Sequence, residues 1–175
     1  MTSNIVKRAK IFAKEFHKGH LRKYTNDPYT VHLEAVAGMV ASIIDDQNMV
    51  AAAWLHDTVE DTTATIEDIE REFGSDVSGM VADLTDICTL TDGNRKVRKA
   101  KERDHTAKAS ARAKTIKLAD IIDNIRSIVP LDMGFARTYV PEKEQLMEVL
   151  KEGNSALYAL ASKLIEEARD AIDKD

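Results

Sequence analysis

Residues 46–61 read Asp-Gln-Asn-Met-Val-Ala-Ala-Ala-Trp-Leu-His-Asp-Thr-Val-Glu-Asp, apolar without interruption from 49 to 55 and then abruptly polar. A helix that is apolar all round must lie at the centre of a fold, so other helices have to surround it. We expect one continuous helix over 46–61. Its neighbours are legible from apolar spacing. Ile5, Val6, Ala9, Phe12, Ala13 and Phe16 mark a helix over 5–16, closed by Gly19. Val36, Val40 and Ile43 mark another over 32–45. Thr65 with Asp68 resembles a capping box, opening a short helix that Gly74 stops; Ser75 is expected to cap a helix over 76–87. Further helices are predicted over 113–128, from near Pro141 to 151, and over 155–172. No stretch alternates with the period of a strand. The chain therefore reads as all-α, a single domain over 1–175 with about seven to nine helices, the last packing on the rest.

Charge is unevenly distributed. The chain totals −5, but residues 95–117 carry ten Lys or Arg against Glu102 and Asp104, leaving −13 for everything else. An acidic body with one basic segment is a poor nucleic-acid binder, although a local cluster can hold a small polyanion. The segment reads either as a solvated, partly disordered loop or as a phosphate clamp. One cysteine, Cys88, rules out internal disulfides and thiolate metal cages and fits a reducing cytoplasm. With no apolar run of membrane length and no secretory leader, a soluble cytoplasmic protein is expected.

Polar residues interrupt the helices where packing should demand apolar ones: His32, His56-Asp57, Glu60-Asp61 and Asp120. A spacing of four stacks Glu60 over His56 and Asp61 over Asp57 on a helix. Buried carboxylates and imidazoles are costly unless something compensates, and a divalent cation takes these donors. Two histidines and two carboxylates leave coordination positions for water and a substrate phosphate, and a metal there acidifies bound water. Glu60 and Asp61 would then orient or deprotonate that water, or protonate the leaving group. The alternative is an ordinary histidine at a helix end and a surface acid at 120; the conjunction of the four features favours the metal.

The order His, His-Asp, Asp is that of the HD-domain metal-dependent phosphohydrolases. Arg22-Lys23, Pro28-Tyr29-Thr30-Val31-His32, Ala52-Ala53-Trp54-Leu55-His56-Asp57-Thr58-Val59-Glu60-Asp61-Thr62, Ile69-Glu70-Arg71-Glu72-Phe73-Gly74 and Ile116-Lys117-Leu118-Ala119-Asp120 with Asn124 closely resemble the hydrolase domain of the RelA/SpoT alarmone enzymes. They look most like its stand-alone small alarmone hydrolases, over roughly residues 5–150. The resemblance implies an HD-type helical bundle that removes the 3′-pyrophosphate from ppGpp or pppGpp, giving GDP or GTP and pyrophosphate. It implies His32, His56, Asp57 and Asp120 as ligands of Mn²⁺, with Fe²⁺, Zn²⁺ or Mg²⁺ as other ions such a site takes. Glu60 and Asp61 become the catalytic acidic pair, Arg22 lies flat on guanine, Lys23 meets phosphate and Asn124 contacts the nucleotide. Arg95 with its basic neighbours, and Arg137, would neutralise pyrophosphate.

Two departures bear on specificity. Leu33 follows His32 where many relatives have proline, and Ile121-Ile122-Asp123 replaces commoner basic and aromatic residues. Asp123 places a negative charge near a polyphosphate pocket, which keeps open an HD phosphohydrolase acting on another nucleotide or on NADPH. A non-catalytic nucleotide sensor or scaffold is the rival of another class. The length leaves no room for the synthetase and regulatory domains of long relatives, so no alarmone synthesis is expected. No oligomeric state follows from the sequence. His17 and His20 are expected to lie at the surface or in packing, with His17 and Gly19 shaping the loop bearing Arg22; His105 is expected in an exposed loop, and Cys88 is expected to be buried and inert.

Overall fold

Met49, Val50, Ala51, Ala52, Ala53, Trp54 and Leu55 are all buried in the computed structural model, which describes residues 4–174 apart from the side chain of Leu90. They form α3 (Gln47–Leu55), started by Asp46, whose Oδ1 accepts from the Met49 N–H at 3.0 Å. The three alanines let neighbouring helices approach closely. α1 (Asn4–Phe16) packs on α3 through Val6, Ala9 and Ala13, and α2 (Thr30–Ile43) through Leu33, Val36, Ala37 and Val40.

The expected helix over 46–61 is broken. α3 ends at Leu55, Asp57 sits at φ −101°, ψ −2°, and a single turn, α4 (Thr58–Asp61), follows. That backbone region is sparsely populated and is where a chain leaves a helix axis to aim a side chain. The Asp57–Asp61 pair keeps its four-residue stacking, through the Asp61 N–H to Asp57 carbonyl bond of 2.9 Å.

α5 (Ile66–Phe73) starts at the reciprocal Thr65–Asp68 capping box, as its sequence predicts. α6 (Ser75–Leu84) departs from expectation: Ser75 is its first residue, not its cap. Gly74, at φ +85°, ends α5 and starts α6 alone, a conformation that costs other residues a clash. α5 and α6 pack together, and α6 packs on α3, completing the first of two units, which divide at Thr85 and Asp86.

The second unit corrects the reading of the basic segment. After a 3₁₀ turn, Leu90–Asp92, residues 95–107 form α7 (Arg95–Ala107), capped by Asn94, rather than a loop; His105 lies in its last turn. α8 (Ala111–Leu131) is capped by Ser110 and is the buried helix of this unit, through Ile116, Leu118, Ala119, Ile121, Ile122, Ile125 and Ile128. α9 (Met133–Met147) is capped by Asp132, so Pro141 lies inside it instead of near its start. α10 (Ser155–Lys174) packs on α8 and α9. Nine helices of at least two turns and the single turn α4 are thus present among the described residues, in line with an all-α fold. The strand-like geometry there is confined to an isolated bridge between Leu21 and Pro28.

The turn before α10 is latched to α8. The Asn154 N–H donates to Thr115 Oγ1 at 2.9 Å, and a Cβ on Gly153 would lie 2.8 Å from Leu118 Cδ1 and 3.2 Å from the Lys114 backbone. Gly153→Ala should therefore cost about 1–3 kcal/mol. Gly38→Ala, in α2 with open space around its Cβ, should stabilise by about 1 kcal/mol. Urea unfolding of the two variants checks this contrast, and equal midpoints would contradict it.

Candidate metal centre

Three side chains converge at the exit of α3. His32, in the first turn of α2, and His56 are fully buried, and Asp57 stands beside them at 18% exposure. Asp57 Oδ2 lies 3.0 Å from His56 Nε2 and 3.5 Å from His32 Nε2, and one donor atom from each residue falls within 4.8 Å of the others. His56 Nδ1 is 2.8 Å from the Ala53 carbonyl. A carbonyl only accepts, so Nδ1 carries a proton in that bond, and Nε2 meets the carboxylate oxygen through a second proton or through a cation. Two electron-rich atoms 3.0 Å apart need a proton or a cation to hold them. The donor set, two imidazoles and a carboxylate, fits a divalent metal.

The electrostatics agree. Burial alone would raise the Asp57 carboxyl, but the adjacent His56 and His32 overcome that and hold it well below the usual carboxylate range. Tyr29 donates its hydroxyl to Asp57 Oδ2 at 2.6 Å. Asp61 is shifted the other way: loss of hydration around the carboxyl and the charge of Asp57 raise it, although much of the residue remains exposed. Glu60 is exposed beside it on α4.

Arg22 and Lys23 sit on a tight loop joined to this cluster through the backbone. The Arg22 N–H donates to the Asp27 carbonyl at 2.8 Å and the Tyr29 N–H to the His20 carbonyl at 2.9 Å, with Asn26 left-handed at φ +58° between them. Lys23 Nζ lies over the Tyr24 ring, 4.9 Å from its centroid.

Asp120 and Asn124 meet one turn apart on α8 in the second unit. Asn124 Nδ2 donates to Asp120 Oδ1 at 2.6 Å, and Lys117 Nζ is 3.2 Å from Oδ2. Ile121 and Ile122, the departures from the family pattern, are fully buried core residues, while Asp123 is half-buried. Arg95 makes a two-pronged pair with Glu142 at 2.6 and 2.9 Å and stacks over Phe135; Arg137 Nη1 donates to the Ile172 carbonyl at 3.2 Å. The structure thus unites His32, His56 and Asp57, and separately Asp120 with Asn124.

Much of the basic segment is neutralised within its own unit. Lys101 pairs with Asp92, Lys114 with Glu152, and Lys99 with Glu102. Burial would raise Glu102, yet Lys143, Lys117 and Lys99 hold it below its ordinary value. Loss of hydration pushes the buried Lys143 down to about 8, with Lys117 adding to the shift and Glu102 opposing it. Sequence reasoning missed this cluster, because a lone Lys143 in α9 carries no signal until the structure places it beside Glu102.

A family model described as "HD domain" matches residues 9–164. A Drosophila melanogaster guanosine-3′,5′-bis(diphosphate) 3′-pyrophosphohydrolase, MESH1, is 42% identical over 115 residues, 64% of this chain and 63% of that protein. The Xenopus tropicalis MESH1 is 39% identical over 127 residues, 71% of this chain and 69% of that one. A probable guanosine-3′,5′-bis(diphosphate) 3′-pyrophosphohydrolase of Synechocystis is 31% identical over 163 residues, but the chain spans only 20% of its length. A solved structure described as a metazoan ortholog of SpoT that hydrolyses ppGpp superposes with a TM-score of 0.85 at 30% identity, covering 95% of this chain and 97% of that one.

His17 is the other residue beside the cluster that sequence reasoning underrated. It continues the row Ala9, Ala13, His17 on the buried face of α1, a spacing that signals burial. It is 2% exposed and stacks on Tyr29 at 5.1 Å and 13°. Both ring nitrogens lack a hydrogen-bond partner among the described residues, and burial pushes its pKa from 6.5 down to about 4. The unfolded chain therefore takes up a proton that the folded chain refuses. The stability associated with neutral His17 is full above pH 6.5 and falls as pH drops toward 4, by up to about 3 kcal/mol. His17→Phe in chelator should flatten this decline relative to the parent in denaturant unfolding across that range; parallel curves would contradict it.

Proposed function

The chain belongs to the HD domain family, and from that premise we propose that it is a metal-dependent pyrophosphohydrolase acting on guanosine polyphosphates. It removes the 3′-pyrophosphate of ppGpp or pppGpp to leave GDP or GTP and pyrophosphate. The observation that carries this reading is the convergence of His32, His56 and Asp57, in a chain that matches relatives named for that activity. We read 1–175 as one HD-type domain in the cytoplasm, with a small nucleotide as its partner and no role for nucleic acid. No helix among the described residues is long and apolar enough to cross a membrane.

His32, His56 and Asp57 hold the metal, which we assign as Mn²⁺ because imidazole with carboxylate suits it. Asp120 is assigned as the fourth ligand from the order of the motifs. When bound, a divalent ion supplies Lewis acidity and a more acidic water. Asp61, raised by burial and by Asp57, retains a proton more readily than a free carboxyl and is suited to give it to the leaving 3′ oxygen. Glu60 accepts the proton of the attacking water. Arg22 lies against guanine, while Lys23 and Asn124 contact phosphate and nucleotide. Arg95 and Arg137 serve the pyrophosphate by exchanging their protein acceptors, Glu142 and the Ile172 carbonyl, for phosphate oxygens.

Purified protein with Mn²⁺ should convert ppGpp to GDP and pyrophosphate, and chelation should abolish this. Asp57→Ala and Asp120→Ala should lose metal and activity together. Glu60→Gln should retain metal and slow turnover by roughly 10²–10⁴-fold. Metal analysis and product chromatography check these outcomes; full turnover by Asp57→Ala would sink the assignment. Half-buried Asp123, adjacent to Asn124, favours a second reading in which another nucleotide or NADPH is preferred. A competition assay giving a larger kcat/KM for GMP or NADPH than for ppGpp would select it.

A further inference from the structure

Tyr29 stands at the start of α2 without capping it: its side chain makes no cap bond, and the turn is held instead by backbone bonds from Val31 to Pro28 and from His32 to Tyr29. The phenol is thereby released to face the cluster. Its ring is stacked on His17 and meets the His32 ring edge-on at 5.5 Å, so one face and its contact with His32 are constrained. Its hydroxyl donates at 2.6 Å to Asp57 Oδ2, the same oxygen that both imidazole Nε2 atoms approach. Rotation of the Asp57 carboxylate would break that short bond. His17 offers the phenol a flat, fully buried surface and draws on no hydrogen bond of its own.

We propose that Tyr29 is a positioning residue for the metal centre, its hydroxyl holding the Asp57 carboxylate where that group and the two imidazoles share one cation, with His17 as the plate that holds Tyr29. This rests on reading the cluster as a metal centre. It gives the buried His17 a purpose and explains why a tyrosine occupies the position three residues before a metal-binding histidine. A phenol in this place orients a ligating carboxylate by donating to it.

The test is Mn²⁺ binding by the full chain without nucleotide, titrated against a competing chelator. Tyr29→Phe keeps the ring and its stack and removes only the hydroxyl. Its Mn²⁺ affinity should fall by about 10–100-fold. The Mn²⁺ concentration giving half-maximal ppGpp hydrolysis should rise by the same factor, while the helical circular dichroism of the metal-free chain stays that of the parent. His17→Ala, which removes the plate under Tyr29, should also weaken Mn²⁺ binding, and His17→Phe, which restores a flat ring, should recover most of that loss. Tyr29→Phe binding as tightly as the parent overturns the role of Tyr29 and leaves the metal centre standing. A parent chain that binds no Mn²⁺ overturns both. Mn²⁺ binding by His17→Ala as tight as the parent's, or no recovery in His17→Phe, overturns the role of His17 as a plate.

Discussion

The approach of the His56 and His32 imidazoles to one oxygen of Asp57 is the constraint on which the first unit depends. It places a carboxylate and two histidines in a region from which water is largely excluded, an arrangement that is unfavourable unless a cation neutralises it. The local structure serves this point. α3 stops at Leu55, so that Asp57 turns back toward α2 instead of continuing along the helix. His56 fixes its tautomer on the Ala53 carbonyl, and Tyr29 fixes the carboxylate. The apolar surface of α3, buried by α1, α2 and α6, holds these parts in place.

The sequence announced the buried helix and its histidine–aspartate end, because seven consecutive apolar residues admit few other readings and a polar run after them demands a function. It did not announce the break at Asp57. His56-Asp57-Thr58 carries neither glycine nor proline, and the helix yields there to the demand of the site. Tyr29 and His17 were hidden for a different reason. Each is unremarkable in its own helix or loop, and their significance comes from a ring stack across eleven intervening residues. The Thr65–Asp68 box was legible since capping is a local interaction, whereas Gly74 displaced Ser75 as cap through a backbone angle that composition does not display.

The basic segment teaches the opposite lesson. Ten cations among 95–117 suggested a loop or a phosphate clamp, yet α7 is a regular helix and Arg95, Lys99, Lys101, Lys114 and Lys117 each meet a carboxylate. Their partners Glu142, Asp92 and Glu152 lie outside the segment, so a local charge count overstated its field. What remains distinctive is the buried meeting of Glu102 with Lys143 and the pairing of Asp120 with Lys117 and Asn124. Removing one partner from such a buried pair costs far more than the pair contributes, which ties this charge pattern to the packing of α7, α8 and α9.

A metal centre at the exit of α3 requires His32 and His56 to ligate a cation together with Asp57. X-ray absorption at the manganese edge of the Mn²⁺-loaded chain tests this most directly. The expected result is the outer-sphere scattering of two imidazole rings around the metal, diminished when either His32 or His56 is replaced. A shell of oxygen donors alone, unchanged by those replacements, would contradict it.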